Sequence, residues 1–404
     1  MKSATELSLN RLFEPEVLAD PYPLYDLLRS EDPVHWDPYL RGWVVTRYDD
    51  VVHALQRYSA TLKHTPEELS AMGMEDMAPI LTVMVRQMRF LDPSVHMRVR
   101  TLASRAFTPR RVEQLESHIQ EIVDGLLDEA QERGGMDVIA ELGRPLPSIV
   151  MAELLGVPVE DWPLLIRWAA DFGSVLGNFQ YNPDRVAAVR RSLDEMSAYF
   201  GDQVRRQAES PREGLVDAFA RADAKGDRLT EEEIVANLIL CMAGGLEAPT
   251  NLIGNGILTL LRNPDQLAAL RDDPSLGASA VEELLRYESP SQHTIRTAPE
   301  DTELGGRTIG AGQSVITMLG AANRDPEHFP EPDRLDLRRQ DNRHVAFGWG
   351  AHFCFGAPLA RLQGRVTFRT LLRRMPRLHM NPDTPLAWRD NLGFRGLSAL
   401  PVTF

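Results

Sequence analysis

Residues 347–366 read FGWGAHFCFGAPLARLQGRV, with Cys354 between Gly350 and Gly356 and a helix-forming run directly behind it. Glycines at such positions let the backbone bend and let a bulky group come close. A cysteine at the start of a helix meets the positive end of the helix dipole and several amide donors, which favours its thiolate. That describes a nucleophile or a metal ligand, and a small buried cysteine in a turn is the plain alternative. Zinc is disfavoured, because no second Cys or His stands at a CxxC-type spacing. A nucleophile needs a positioned histidine, for which His352 is the near candidate. An axial thiolate for haem iron needs one cysteine only, plus cations for the propionates. Spacing alone leaves these open.

The rest of the composition narrows the field. The chain has 404 residues, 43% hydrophobic and 25% charged, as in ordinary globular proteins. A net charge of −14 argues against a general nucleic-acid binder. Two cysteines, Cys241 and Cys354, are too few for a disulfide scaffold, so a reducing cytoplasm is expected. The start, MKSATELSLNRLFEPEVLADPYPLYDLL, has no signal-peptide core, and no run approaches the ~18 apolar residues of a membrane span. No membrane partner is expected.

Helical periodicity dominates, as in ESHIQEIVDGLLDEAQE (116–132), DRVAAVRRSLDEMSAYFGDQVRRQA (184–208) and LTEEEIVANLILCMAGG (229–245). The last opens on a capping box, Thr230 followed by Glu233. Strand-like segments are VHWDPYLRGWVVTRY (34–48), TELGGRTIGAGQSVITML (302–319) and LGFRGLSALPVTF (392–404), and both glycine-rich gaps in 302–319 suggest hairpin turns. The expectation is a mainly α chain with a smaller β portion, as one domain over 1–404.

The pattern Phe347-Gly348-x-Gly350-x-His352-x-Cys354-x-Gly356, continuing through Ala357-Pro358-Leu359-Ala360-Arg361, resembles the cysteine-ligand loop of the cytochrome P450 superfamily in its soluble bacterial form. Glu283-Leu284-Leu285-Arg286 is similar to the family's ExxR motif, and Asn323-Arg324-Asp325-Pro326 with Pro332-Asp333-Arg334 to the segment that supplies its second arginine. The resemblance runs from 20–29 to 394–402. It implies the P450 fold, a triangular prism with a long central helix over the haem, and a haem-thiolate monooxygenase. It makes Cys354 the iron ligand, with haem b (iron protoporphyrin IX) as cofactor and Phe347, Gly348 and Gly356 shaping the loop. Glu283, Arg286 and Arg334 become a structural network. His96 and Arg100, four apart on a helix, resemble the family's propionate-binding HxxxR, and Arg296 and His352 match two further propionate partners.

The segment AGGLEAPTN (243–251) resembles the part of the central helix that crosses the oxygen-binding face. Gly244 and Gly245 are expected to let the backbone pass close, and Pro249 deprives the Gly245 carbonyl of its usual donor. The family usually follows an acid with a threonine that helps relay protons. Here Glu247 is followed by Ala248, which has no hydrogen-bonding side chain, and Thr250 lies roughly 200° around a regular helix. Substrate- or water-assisted proton delivery is therefore expected, with Glu247, Ala248, Thr250 and Gly244 at the catalytic turn. The alternatives are oxidative C–C or C–N coupling, peroxide-driven chemistry without oxygen insertion, and a non-catalytic haem sensor or electron carrier.

Residues 60–90 match a substrate-covering loop rich in methionine, and 165–190 the family's mobile lid. Pocket candidates are Met84, Met88, Leu240, Ala243, Gln292, His293, Thr294, Ile295 and Phe394. No flavin or nicotinamide fingerprint follows a predicted strand, so O2 chemistry on a small-molecule substrate calls for a separate ferredoxin and an NAD(P)H-dependent ferredoxin reductase. Arg98, Arg105, Arg110, Arg111, Arg361 and Arg365 form the expected docking patch for an acidic carrier.

Overall fold

In the computed structural model the described residues are 7–62, 66–178, 181–221, 223–224, 227–381, 383 and 385–404. In chain order the elements that matter are β1 (Val34–Asp37), β2 (Gly42–Val45), α1 (Pro93–Ala106), α2 (Glu116–Arg133), β3 (Gly135–Asp137), α3 (Pro145–Leu155), α4 (Trp162–Leu176) and α5 (Pro183–Glu209). They continue with α6 (Glu231–Arg262), α7 (Gly277–Tyr287), β4 (His293–Thr297), β5 (Thr302–Leu304), β6 (Arg307–Ile309), β7 (Ser314–Met318), α8 (Ala357–Arg374) and β8 (Pro401–Thr403). Helix predominates and the strands are short. The chain forms two compact units, one of Met1–Ser59, Ser117–Gly143 and Ala248–Phe404, the other of Ala60–Glu116 and Arg144–Glu247. The division passes through α6, between Glu247 and Ala248.

In the first unit a four-stranded sheet has the order β1-β2-β7-β4. β1 and β2 form a hairpin in which Trp36 faces Trp43, and their rings meet edge to face at 5.4 Å. β2 runs parallel to β7, and β4 antiparallel to it with Arg296 opposite Val315. Val34, Val45, Val51, Leu55, Val315 and Phe329 bury a core against this sheet. β3 pairs with β8, joining Met136 to Val402 near the C-terminus.

One of the two expected hairpins forms and the other does not. β5 and β6 pair around Gly305 and Gly306, both at positive φ (54° and 76°), the left-handed geometry that glycine takes without strain. The second gap only turns the chain. The Gln313 carboxamide oxygen accepts from the Gly310 amide and the Trp43 indole (both 2.8 Å), and β7 leaves to pair with β2 and β4.

The second unit holds α1, α3, α4, α5 and the first half of α6. α4 packs along α5, and α5 is opened by the Asn182 side chain, which accepts from the Arg185 amide at 3.0 Å, with Pro183 at the first helical position. α3 ends on Gly156 at φ 79°. The capping box of α6 is reciprocal: the Glu233 carboxylate accepts from the Thr230 amide (2.9 Å) and Thr230 Oγ1 from the Glu233 amide (3.2 Å). α6 then stays helical for 32 residues, with Pro249 inside it.

Candidate active site

The cysteine loop is built by its own backbone. The Cys354 amide donates to the Phe347 carbonyl (2.8 Å), Gly348 N–H to Val345 (2.8 Å) and Phe353 N–H to Gly350 (3.1 Å). Gly348 and Gly350 stand at φ 69° and 68°, where a side chain would be strained. Cys354 itself is half-buried, and α8 begins three residues later. A methyl group at Gly356 would meet nothing within 4 Å, so the loop leaves room there for another group. Among the described residues no set of three or more His, Cys, Asp or Glu could hold a metal by itself. A lone cysteine before a long helix, with open space beside it, would suit a haem, whose iron needs a single sulfur from the protein.

Behind the loop, Arg361 lies over the Phe347 ring at 4.7 Å and grips Glu282 with two bonds of 2.7 and 2.8 Å. His344 Nε2 reaches the same carboxylate at 3.3 Å. Burial alone would raise the Glu282 pKa, but His344 and Arg361 outweigh it and hold the group at about 2. Sequence patterns gave no sign of this triad.

Glu283 and Arg286 are both fully buried and paired through two bonds of 2.8 Å. Arg286 also donates to the Asn323 and Pro332 carbonyls (2.9 and 2.8 Å), and the Asn323 side chain accepts from Val345 N–H (2.7 Å) at the start of the cysteine loop. The expected second arginine is corrected here. The Arg334 side chain is exposed and paired with Glu331, contributing only its carbonyl to the network. Arg339 takes the place instead, with Nε 3.2 Å from Glu283 Oε2, and Asn342 and the Asp336 amide complete the carboxylate's donors (3.0 Å each). Several arginines lie between 334 and 343, and spacing cannot say which one the chain path brings back.

The cationic candidates fall in different places. Arg296, on β4, is buried, and its Nη1 donates to Ile295 O (2.8 Å) and Thr294 Oγ1 (3.2 Å). His352 ends the short turn Gly350–His352 of the cysteine loop. In the second unit, His96 of α1 is buried and Arg100 half-buried. Burial, then the nearby Arg100 charge, lowers the His96 pKa, which favours neutral imidazole.

On α6 the two glycines do different work. A methyl at Gly244 would meet nothing within 4 Å, whereas one at Gly245 would lie 2.0 Å from Met151 Cε of α3. Gly245 therefore leaves room for Met151. Glu247 is buried, and a methyl at Gly173 of α4 would lie 3.2 Å from its Cγ. Gly173 makes room for the acid, a role no motif announced. Ala248 contributes no polar group. Thr250 donates its hydroxyl to the Gly143 carbonyl at 2.8 Å.

The pocket candidates separate likewise. Met84, Met88 and Ala243 are buried and Leu240 half-buried in the second unit, where the Met88 amide bonds Asn237 Oδ1 of α6 at 2.8 Å. In the first unit, Phe394 is buried and bridges Ser291 at the entry to β4. His293 is buried, Thr294 half-buried and Ile295 44% exposed, too open for a closed pocket wall. Gln292 is corrected as well: its amide accepts from Tyr25 O–H (2.9 Å) and donates to the Ser289 carbonyl (2.7 Å), so it braces the fold. Of the expected docking arginines, Arg98 is paired with Glu233, Arg111 with Glu213 and Arg361 with Glu282. Arg110 is exposed, Arg365 half-buried, and the Arg105 side chain lies outside the described residues. Of the expected lid, residues 179–180 also lie outside them.

Fold and loop together define a class: a mainly helical protein with a glycine-turned cysteine loop directly ahead of a long helix. The cytochrome P450 family model matches residues 35–274 and 276–394, and the chain belongs to that family. It is 42% identical over 400 residues to the vitamin D(3) 25-hydroxylase of Pseudonocardia autotrophica, covering 97% of this chain and 96% of that one. Identity to the biotin biosynthesis cytochrome P450 of Bacillus subtilis (strain 168) is 40% over 393 residues, covering 96% and 97%. A P450 solved with an acyl carrier protein bearing hexadec-9Z-enoic acid superposes at a TM-score of 0.90, with 38% identity, over 97% of this chain and 100% of that one. The protein is a haem-dependent oxidoreductase of the monooxygenase type, taking a small-molecule substrate and electrons from redox partners. No described helix is long and apolar enough to cross a membrane.

Proposed function

We propose that the whole chain acts as one bacterial P450 haem domain that oxidises a lipophilic small molecule in specialised metabolism, with protons delivered by water or by the substrate itself. The observation that carries this is the pair Ala248 and Thr250. The first has no hydroxyl, and the hydroxyl of the second is bonded to Gly143. Cys354 is the proposed thiolate ligand of haem b, and Arg296, His352, His96 and Arg100 the proposed propionate partners, since carboxylates withdrawn from water require such donors. When bound, the haem supplies dioxygen activation and oxygen transfer. The protein's own part is to hold Glu247 as a buried acid whose proton reaches the reaction through ordered water, beside the open space at Gly244.

Met84, Met88, Leu240, Ala243, His293, Thr294 and Phe394 are the proposed substrate contacts. A relative named for vitamin D(3) hydroxylation and a neighbour solved with an acyl carrier protein bearing hexadec-9Z-enoic acid support a lipophilic substrate. Electrons are proposed to come from a cytoplasmic ferredoxin and its NAD(P)H-dependent reductase. The test is Ala248→Thr, with product formed per reductant consumed as readout. An unchanged or lower ratio is expected, and a large gain would refute assisted delivery. The missing hydroxyl also favours a second reading, peroxide-driven oxidation, in which the oxidant arrives already protonated. Turnover with hydrogen peroxide alone, faster than with reductant, would establish it.

A further inference from the structure

Pro249 leaves the turn of α6 around it short of one backbone bond, and a helix so interrupted is free to bend. Here it is held from outside. The chain between β3 and α3 forms a π-helical turn, Ile139–Gly143. Its last carbonyl, on Gly143, accepts the Thr250 hydroxyl at 2.8 Å, with both residues buried. A methyl on Gly143 would stand 3.3 Å from the Val138 carbonyl and at ordinary contact distance from the Thr250 carbonyl and Cγ2 (3.5 and 3.7 Å), so the two backbones lie close together here. At the other end of the turn, Ile139 fills the notch left by Gly254, where a methyl would lie 2.3 Å from Ile139 Cδ1. The turn is itself pinned: Asp137 Oδ1 accepts from the Ile139 amide (2.9 Å) and the Leu400 amide (3.0 Å), and Glu141 Oε1 from the Asp137 amide (2.8 Å). Thr250 and Gly254 are one helical turn apart, so the two contacts grip a single face of α6 just past the proline.

We infer that Thr250 is a positioning residue. Its hydroxyl clamps the proline-containing turn to the Ile139–Gly143 segment and so fixes how Ala248 and the Glu247 backbone are presented, without itself carrying protons. This rests on the reading of Glu247 as the proton-delivering acid. Thr250→Val keeps the side-chain shape and loses the hydroxyl, and Thr250→Ser keeps the hydroxyl. Backbone hydrogen exchange over 139–144 and 250–256, measured on the resting holoenzyme, reads the clamp without turnover.

In Thr250→Val, exchange in both segments is expected to rise about tenfold, as loss of one buried hydrogen bond implies. Product per reductant falls several-fold while the substrate dissociation constant, from spectral titration, stays within about twofold. Thr250→Ser restores both. Ile139→Ala, which leaves the hydroxyl in place, loosens the same two segments. The inference is overturned if exchange is unchanged in Thr250→Val, or if product per reductant falls with no change in exchange, as a proton-carrying hydroxyl would give. Glu247→Gln keeps the two failures apart. If it leaves product per reductant intact, the acid's role is wrong, while the exchange data still decide the clamp.

Discussion

The cysteine loop and the turn of α6 around Pro249 are both short and glycine-containing, yet they are built on opposite plans. In the loop, Cys354 bonds Phe347 and Phe353 bonds Gly350 within eight residues, and two glycines at positive φ supply the bends. In the α6 turn almost every constraint comes from elsewhere in the chain: Met151 against Gly245, Gly173 beneath Glu247, Gly143 on Thr250 and Ile139 in the Gly254 notch. A local plan survives as a motif that can be read from spacing. A plan assembled from remote segments leaves no such spacing, because any partner that satisfies the same hydroxyl or fills the same notch will serve.

The sharpest way to break the comparison is at the sulfur. Cys354→Ser is expected to abolish activity and the thiolate signature of the reduced, carbon monoxide-bound pigment while the fold persists, since a neutral hydroxyl is a poor iron ligand. Retained thiolate spectra would show that another group binds the metal. Next in size is the network behind the loop. Glu283→Ala strands Arg286 in the interior, and denaturant titration should show a loss of about 3–5 kcal/mol. Arg339→Ala should cost about 1–3 kcal/mol, and Arg334→Ala no more than ~0.5 kcal/mol. Equal costs for the two arginines would restore the spacing-based assignment.

A smaller contrast lies within α6. Gly245→Ala forces Met151 from its seat, an overpacking expected to cost about 1–3 kcal/mol, although Met151 is flexible enough to keep it toward the low end. Gly244→Ala meets open space and should be neutral or slightly stabilising through helix propensity, with thermal unfolding as the measure. The last test is a pH dependence. Glu282 in the folded chain titrates at about 2 against an ordinary 4.5, so its ion pairs stabilise fully above about 4.5. That contribution is lost as pH falls from there toward 2. Glu282→Gln should flatten this part of the stability curve; an unchanged slope would mean that His344 and Arg361 do not hold the carboxylate.

Particular residues show how far spacing reaches. Thr230 and Glu233 cap α6 as their three-residue separation requires, and Gly305–Gly306 turn β5 into β6, because each device is closed within a few bonds of backbone. Gly310–Gly312 carries the same glycine signal, yet no hairpin follows, since β7 finds better partners in β2 and β4. Arg334 and Arg339 are alike in charge and reach, and only the return of the chain past Glu283 chooses the second. Gln292 looks like a pocket amide until Tyr25, 267 positions away, takes its oxygen.

By itself, then, the order of amino acids determined the helical class, the cap of α6 and the turn between β5 and β6, because these follow from periodicities and hydrogen bonds that neighbouring residues complete. Tertiary structure alone decided that Arg339 meets Glu283, that Gly245 is a seat for Met151 and that the Thr250 hydroxyl faces Gly143. Such choices depend on which of several equivalent groups the folded chain brings within 3 Å, and a hydrogen bond discriminates between them only at that distance.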